Sequence, residues 1–140
     1  MGDRRQAREL ALQALFAFDM DKVDSDQDEA LIVFCANNEE DLTQEVKPFF
    51  LDLVKGVKEN RSQIDGLLNQ YSKNWKISRM PVVDRNIMRL AIFEFLKCPD
   101  IPTTVTINEA VDIGKKYGTK DSGSFINGVL DRIKLLEGFE

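Results

Sequence analysis

Apolar residues in this chain recur every three or four positions in almost every stretch that carries them, and this helical period most narrows the folds open to it. Ala7, Leu10, Ala11, Ala14, Leu15 and Phe18 form one stripe. Val46, Phe49, Phe50, Leu53, Val54 and Val57 form a second, and Ile64, Leu67, Leu68 and Tyr71 a third. Phe125, Ile126, Val129, Leu130, Ile133 and Leu136 make the inner face of a last helix. Val83, Ile87, Met88, Leu90, Ala91, Ile92, Phe95 and Leu96 cover most faces of one helix, which should therefore be central. The run TTVTI at 103–107 could be a strand, but no partner strand exists elsewhere.

Local signals divide the stripes into elements. Asp3 can cap the first helix, with Gln6 reaching back to it. DMDKVDSDQDEA, residues 19–30, reads as a polar connector, followed by a short helix with Leu31, Val33 and Phe34 that stops near Asn37 and Asn38. Pro48 fits only a first turn, so the next helix begins at 45–47. Pro81 reads as a first-turn proline, and Pro99 and Pro102 end the central helix. Thr106 and Glu109 of TINE predict a capping box, and Gly118 terminates that helix after Tyr117. Asp121 or Ser122 caps the last one. The expectation is an all-α fold of about seven helices, one domain over residues 1–140.

Composition removes many chemistries. With no histidine there is no Ser-His-Asp or Cys-His set and no imidazole metal ligand. Two cysteines, Cys35 and Cys98, cannot form a Cys-rich zinc site, and we read them as reduced core thiols in preference to a disulfide. Asp24, Asp26 and Asp28, like Glu39, Glu40 and Asp41, lack calcium-loop spacing. GVKENRS and YGTKDSGS lack the spacing of phosphate-binding loops. No metal, no cofactor and no enzymatic activity are expected. No apolar run is long enough to span a bilayer, and the N-terminus lacks the apolar stretch of a secretion signal, so the expected location is cytoplasmic, away from membranes.

The net charge of −5 conceals an asymmetry. Residues 19–45 hold ten acids and one base, Lys22, so the rest of the chain is positive by four. Charges separated by more than a Debye length, about 8 Å at physiological salt, are largely screened. An acidic segment therefore does not bar a basic strip elsewhere from RNA. Arg4, Arg5 and Arg8 fall within two turns of the first helix, and positions 5, 8, 12 and 16 share a face by spacing. Guanidinium groups can hold phosphates and Phe16 can stack a base, worth about 1–3 kcal/mol. The competing reading is a solvated basic helix end with Phe16 in the core.

MGDRRQARELALQALFAFD, and still more DRNIMRLAIFEFL and DIPTTVTINEAVDIGKKYGTKDSGSFINGVLDRI, resemble the NusB family of transcription antitermination factors over the whole chain. The resemblance implies two small packed helical bundles and a non-catalytic RNA-binding role. It implies pairing with NusE, a small-subunit ribosomal protein, on single-stranded boxA RNA of nascent ribosomal transcripts within the RNA polymerase antitermination complex. A homodimer is the alternative when NusE is absent. Carried over residue by residue, RNA falls to Arg4, Arg5, Arg8, Phe16, Lys120, Asp121, Ser122 and Phe125. NusE falls to the helix opening at Met80, Val83, Asp84 and Met88, where Asp84 also suits the helix dipole. Gln6 and Ser124 stand where basic residues are common, which implies weak RNA binding unless NusE assists. The alternatives are a protein-docking scaffold, or a stand-alone relative of the N-terminal domain of ribosomal RNA cytosine methyltransferases. The end at Glu140, soon after the last apolar helix, favours the free-standing factor.

Overall fold

The computed structural model describes residues 2–21, 27–73 and 75–140. Among these, seven α-helices and one 3-10 turn occur and no strand. They are α1 (Asp3–Asp21), α2 (Gln27–Asn37), α3 (Lys47–Glu59), α4 (Arg61–Tyr71), α5 (Val82–Lys97), α6 (Thr103–Tyr117) and α7 (Ser122–Glu137), with the 3-10 turn at Ile77–Arg79. Lys22, Asp24 and Asp26 of the connector lie outside the described residues.

α5 is the axis, as its apolar circumference requires. It packs against α1 and α3 on one flank and against α4, α6 and α7 on the other. The two flanks are the two helical groups, and one continuous core joins them. α3 approaches α5 closely because Gly56 carries no side chain: a Cβ there would sit 2.1 Å from the Phe93 ring. Asn60 ends α3 and opens α4 at a single residue, its side-chain amide donating to the Gly56 carbonyl at 2.8 Å. Gly138, at φ 75°, closes α7 in the left-handed conformation that glycine tolerates. Arg132 of α7 donates to the Tyr71 carbonyl at 2.8 Å, and the Tyr71 hydroxyl donates to Glu137, which ties α4 to α7.

Several local expectations need correction. TTVTI is the first turn of α6, preceded by Pro102, so Thr106 and Glu109 are not a capping box. Their side chains reach across to α5 and α1 instead. Gln6 donates to the Asp41 carbonyl rather than back to the first turn. Neither Asp121 nor Ser122 makes a side-chain cap bond to α7. Leu136, assigned to the inner face, is exposed, and Phe139 beyond it packs on Phe95 instead.

Candidate nucleic-acid interface

The three N-terminal arginines separate by depth. Arg8 is buried, and its guanidinium donates to both oxygens of Glu94 on α5 at 2.8 Å. Thr106 of α6 donates to the same carboxylate at 2.9 Å. Arg5 is half-buried, donating to Glu109 and Asp112 of α6, each at 2.9 Å. That contact draws the Glu109 carboxyl below its ordinary pKa despite burial, and holds the Arg5 guanidinium above its own. Only Arg4 is open, 3.6 Å from an exposed Asp100. Arg4 and Arg8 both lie over the Phe49 ring, at 5.2 and 5.4 Å. The common exposed face at 5, 8, 12 and 16 is thus corrected: Arg8 and Leu12 point inward, while Phe16 is exposed. The reason is that α3, α5 and α6 all carry partners for α1: Glu94 and Asp112 sit in helices read for their apolar residues, and Glu109, read as a capping-box residue, turns to the arginines instead.

The open face of α1 runs through Gln13, Phe16 and Met20. Glu9 precedes Phe16 on α1 by seven residues, about 10 Å along the helix. Glu9 is buried and accepts from Lys116 at 2.8 Å and from the Tyr117 hydroxyl at 2.6 Å. Burial and then the Glu9 contact push the Tyr117 hydroxyl pKa up. The C-terminal end of α6, with exposed Lys115, Lys116 and Tyr117, is thereby held beside α1. At the other end of α1, Asp19 accepts from Arg85 and Asn86 at 2.9 Å and from Arg89 at 3.2 Å. Burial works against the Asp19 charge, but these hydrogen bonds and cations outweigh it and hold the carboxyl below its ordinary range. The end of α6 is thus fixed beside the first half of α1, and the start of α5 beside its last turn.

At the start of α7 the structure gathers most of the remaining expected residues. Lys120 and Asp121 lie exposed on the α6–α7 turn. Ser122 is buried, donating to Asp84 at 2.7 Å and accepting from the Thr119 amide at 2.9 Å. Gly118 is required here, since a Cβ would fall 2.3 Å from the Ser122 hydroxyl. Phe125 meets Trp75 edge-on, ring centres 6.1 Å apart. Trp75, Pro81, Asp84, Thr119, Asp121, Ser124 and Phe125 line an open cavity of about 440 Å³, with two aromatic rings and two carboxylates in its lining.

The expected partner face changes most. Met80, Asp84 and Met88 are buried, and of the four residues only Val83 is partly open. The reason is the central place of α5, whose first turn already faces α7 through the Asp84–Ser122 contact. Sequence reasoning passed over Trp75, Lys116 and Tyr117. The one available signal was Trp75, a lone tryptophan in the polar stretch YSKNWKIS, outside every apolar stripe. Cys35 and Cys98 are free and half-buried, and burial raises the Cys98 thiol to about 11. Among the described residues no cluster of His, Cys, Asp or Glu could hold a metal.

Asp84 yields a stability prediction. Burial raises its carboxyl pKa and the Ser122 hydrogen bond only partly offsets this. The folded state therefore binds the proton more tightly than the unfolded state, and parental stability falls as pH rises from the ordinary aspartate value through the raised one. Asp84→Asn keeps an acceptor for Ser122 and removes the charge. Urea midpoints of the two proteins should lie closest in acid, with Asp84→Asn the more stable at neutral pH. A parent more stable than the variant at neutral pH refutes it.

The NusB family model matches residues 5–134. The chain is 63% identical to the transcription antitermination protein NusB of Desulforapulum autotrophicum over 140 residues, covering 100% of this chain and 96% of that protein. Among solved structures it is similar to T. maritima NusB, with a TM-score of 0.84 and 40% identity over 95% of this chain and 90% of that one. The same fold occurs in a crystal structure of antitermination factors NusB and NusE in complex with dsRNA. There the TM-score is 0.84 and the identity 24%, over 97% of this chain and 98% of that one.

Proposed function

The chain belongs to the NusB family, and from that premise we propose that it is a non-catalytic transcription antitermination factor, a single unit over residues 1–140. It pairs with NusE, binds single-stranded boxA RNA of nascent ribosomal transcripts, and joins the elongating RNA polymerase. It works in the cytoplasm; among the described residues no helix is long and apolar enough to cross a membrane.

One observation carries the RNA reading. Phe16, Tyr117 and Trp75 are exposed, Phe125 is half-buried against Trp75, and Tyr117 is held to α1, the helix of Phe16, through Glu9. Lys115, Lys116 and Lys120 lie exposed at the end of α6 and on the turn that follows it. Aromatic platforms beside cations suit an unpaired strand, whose bases stack and whose phosphates need positive charge. Arg4 is the phosphate contact on α1, Arg5 must exchange Glu109 and Asp112 for RNA, and Arg8 acts by fixing α1 in place. Asp121, in the lining of the Trp75 cavity, accepts from base amino groups. NusE meets the opening of α5 through exposed Pro81 and part-open Val83, while Met80, Asp84 and Met88 hold that face from beneath.

Titration with a short boxA-like RNA at several salt concentrations, with NusE present, tests this. Phe16→Ala and Phe125→Ala should each weaken binding by about 1–3 kcal/mol with the salt slope unchanged. Arg4→Ala should lower the log–log slope by about 0.7. If both phenylalanine variants bind like the parent, this surface is not the RNA face. If RNA is not bound at all while NusE still is, the chain is a protein-docking scaffold.

A further inference from the structure

Among the described residues one buried side-chain atom has no hydrogen-bond partner, Oε2 of Glu9. The Glu9 side chain is 7% exposed, and both of its donors, Lys116 at 2.8 Å and the Tyr117 hydroxyl at 2.6 Å, go to Oε1. An unmet buried acceptor costs a fold stability and is rare, so its donor is to be sought outside the chain. Arg5, one turn earlier on α1, is taken by Glu109 and Asp112. The way in from solvent is short. Lys116, which screens Glu9, is itself 48% exposed on a long flexible stem. Gln13 and Phe16, at steps of four and three from Glu9, are exposed along the same side of α1. A carboxylate with one idle oxygen therefore lies one side chain beneath the surface, between a cation and two exposed aromatic rings, Phe16 and Tyr117.

We propose that Glu9 reads a guanine of the bound strand, its two oxygens accepting from N1–H and from the N2 amino group. This rests on the RNA binding proposed above and names a base that the same surface selects. A carboxylate offers acceptors alone. Guanine is the base whose Watson–Crick edge carries two adjacent donors. Adenine and cytosine set a ring-nitrogen acceptor beside their amino group, and uracil sets a carbonyl on each side of its single N–H, so each of these turns a lone pair on one carboxylate oxygen. Lys116 makes room by exchange. In the free protein its ammonium neutralises Glu9; against a strand it passes to a phosphate. Oε1 then keeps the Tyr117 hydroxyl and takes one guanine donor in place of Lys116, while Oε2 takes the other. The idle oxygen gains its partner, and neither charge is left without one.

Fluorescence anisotropy of a labelled, guanine-containing boxA-like RNA, titrated with the full chain in the presence of NusE, tests the proposal. Each guanine is replaced in turn by inosine, which lacks the N2 amino group but keeps N1–H and the stacking face. At one position the parent should lose affinity by about tenfold or more, the usual scale for a bidentate base contact. Glu9→Gln is close in size and sets an amide donor against a guanine donor, so it should bind the guanine and inosine RNAs alike. Lys116→Met should keep the inosine penalty and lower the log–log salt slope by about 0.7. A parent that binds RNA but is indifferent to inosine at every position overturns the proposal and leaves the RNA-binding function standing. An inosine penalty that persists undiminished in Glu9→Gln, or a salt slope unchanged in Lys116→Met, overturns it as well. A parent that binds no RNA overturns the proposed function, and this reading with it. The inosine series uses the parent alone, so the proposal can be refuted even if Glu9→Gln does not fold.

Discussion

Replacing Arg8 by alanine should lower the unfolding free energy by about 3–5 kcal/mol, the usual loss when one partner of a buried ion pair is removed. The guanidinium makes three contacts: both oxygens of Glu94 at 2.8 Å and one of Glu109 at 3.2 Å. Its removal leaves Glu94, itself buried, with Thr106 as its donor from α6. Glu109 keeps Arg5, so the damage should centre on Glu94. Chemical denaturation measures the loss directly. Replacing both Arg8 and Glu94 by methionine removes the charges together and should restore most of the stability, since a packed apolar pair of similar volume often matches a buried ion pair. A loss below about 1 kcal/mol for Arg8→Ala would mean that water reaches Glu94 in the variant. The experiment also bears on function, because a weakened RNA affinity in Arg8→Ala would then reflect a displaced α1 and not a missing phosphate contact.

Phe50→Ala should have an effect of similar size, about 3–5 kcal/mol. The side chain has no exposed surface, and its ring stacks on Phe34 at 5.7 Å. It therefore serves two contacts at once: α3 to the core, and α2 to α3. Truncation removes the ring on which Phe34 of α2 stacks and leaves a cavity between α2 and α3. The expected result is a large fall in denaturation midpoint, together with faster hydrogen exchange in α2 than in α5. A variant with normal midpoint would place Phe50 outside the cooperative core.

Much of the fold was legible because a helix announces itself locally. The stripe Phe50, Leu53, Val54 and Val57 is buried as its spacing requires, and so is the stripe Ile64, Leu67, Leu68 and Tyr71. Pro48 sits in the first turn of α3, and Gly118 ends α6. Helix starts were less legible where two signals competed. Pro102 opens α6 one turn ahead of TINE, because a fixed φ preorganises the first turn whether or not a capping box follows.

The candidate site divides along the same line. The charge asymmetry, the aromatic at position 16, the turn before Ser122 and Phe125 are properties of the sequence and could be read there. Whether an arginine is free to meet a phosphate is not a local property. Arg4, Arg5 and Arg8 are alike in sequence, yet they end exposed, half-buried and buried, because Glu94, Glu109 and Asp112 lie 86 to 107 residues away along the chain and are brought to them by the packing of α1 on α5 and α6. The same holds for Asp84, which in sequence is an ordinary first-turn acid and in the fold is a buried acceptor for Ser122. The period of its apolar residues made this chain all-helical with α5 at its centre; the pairing of its charges, and so which of them face a partner, was decided by which helices came to lie side by side.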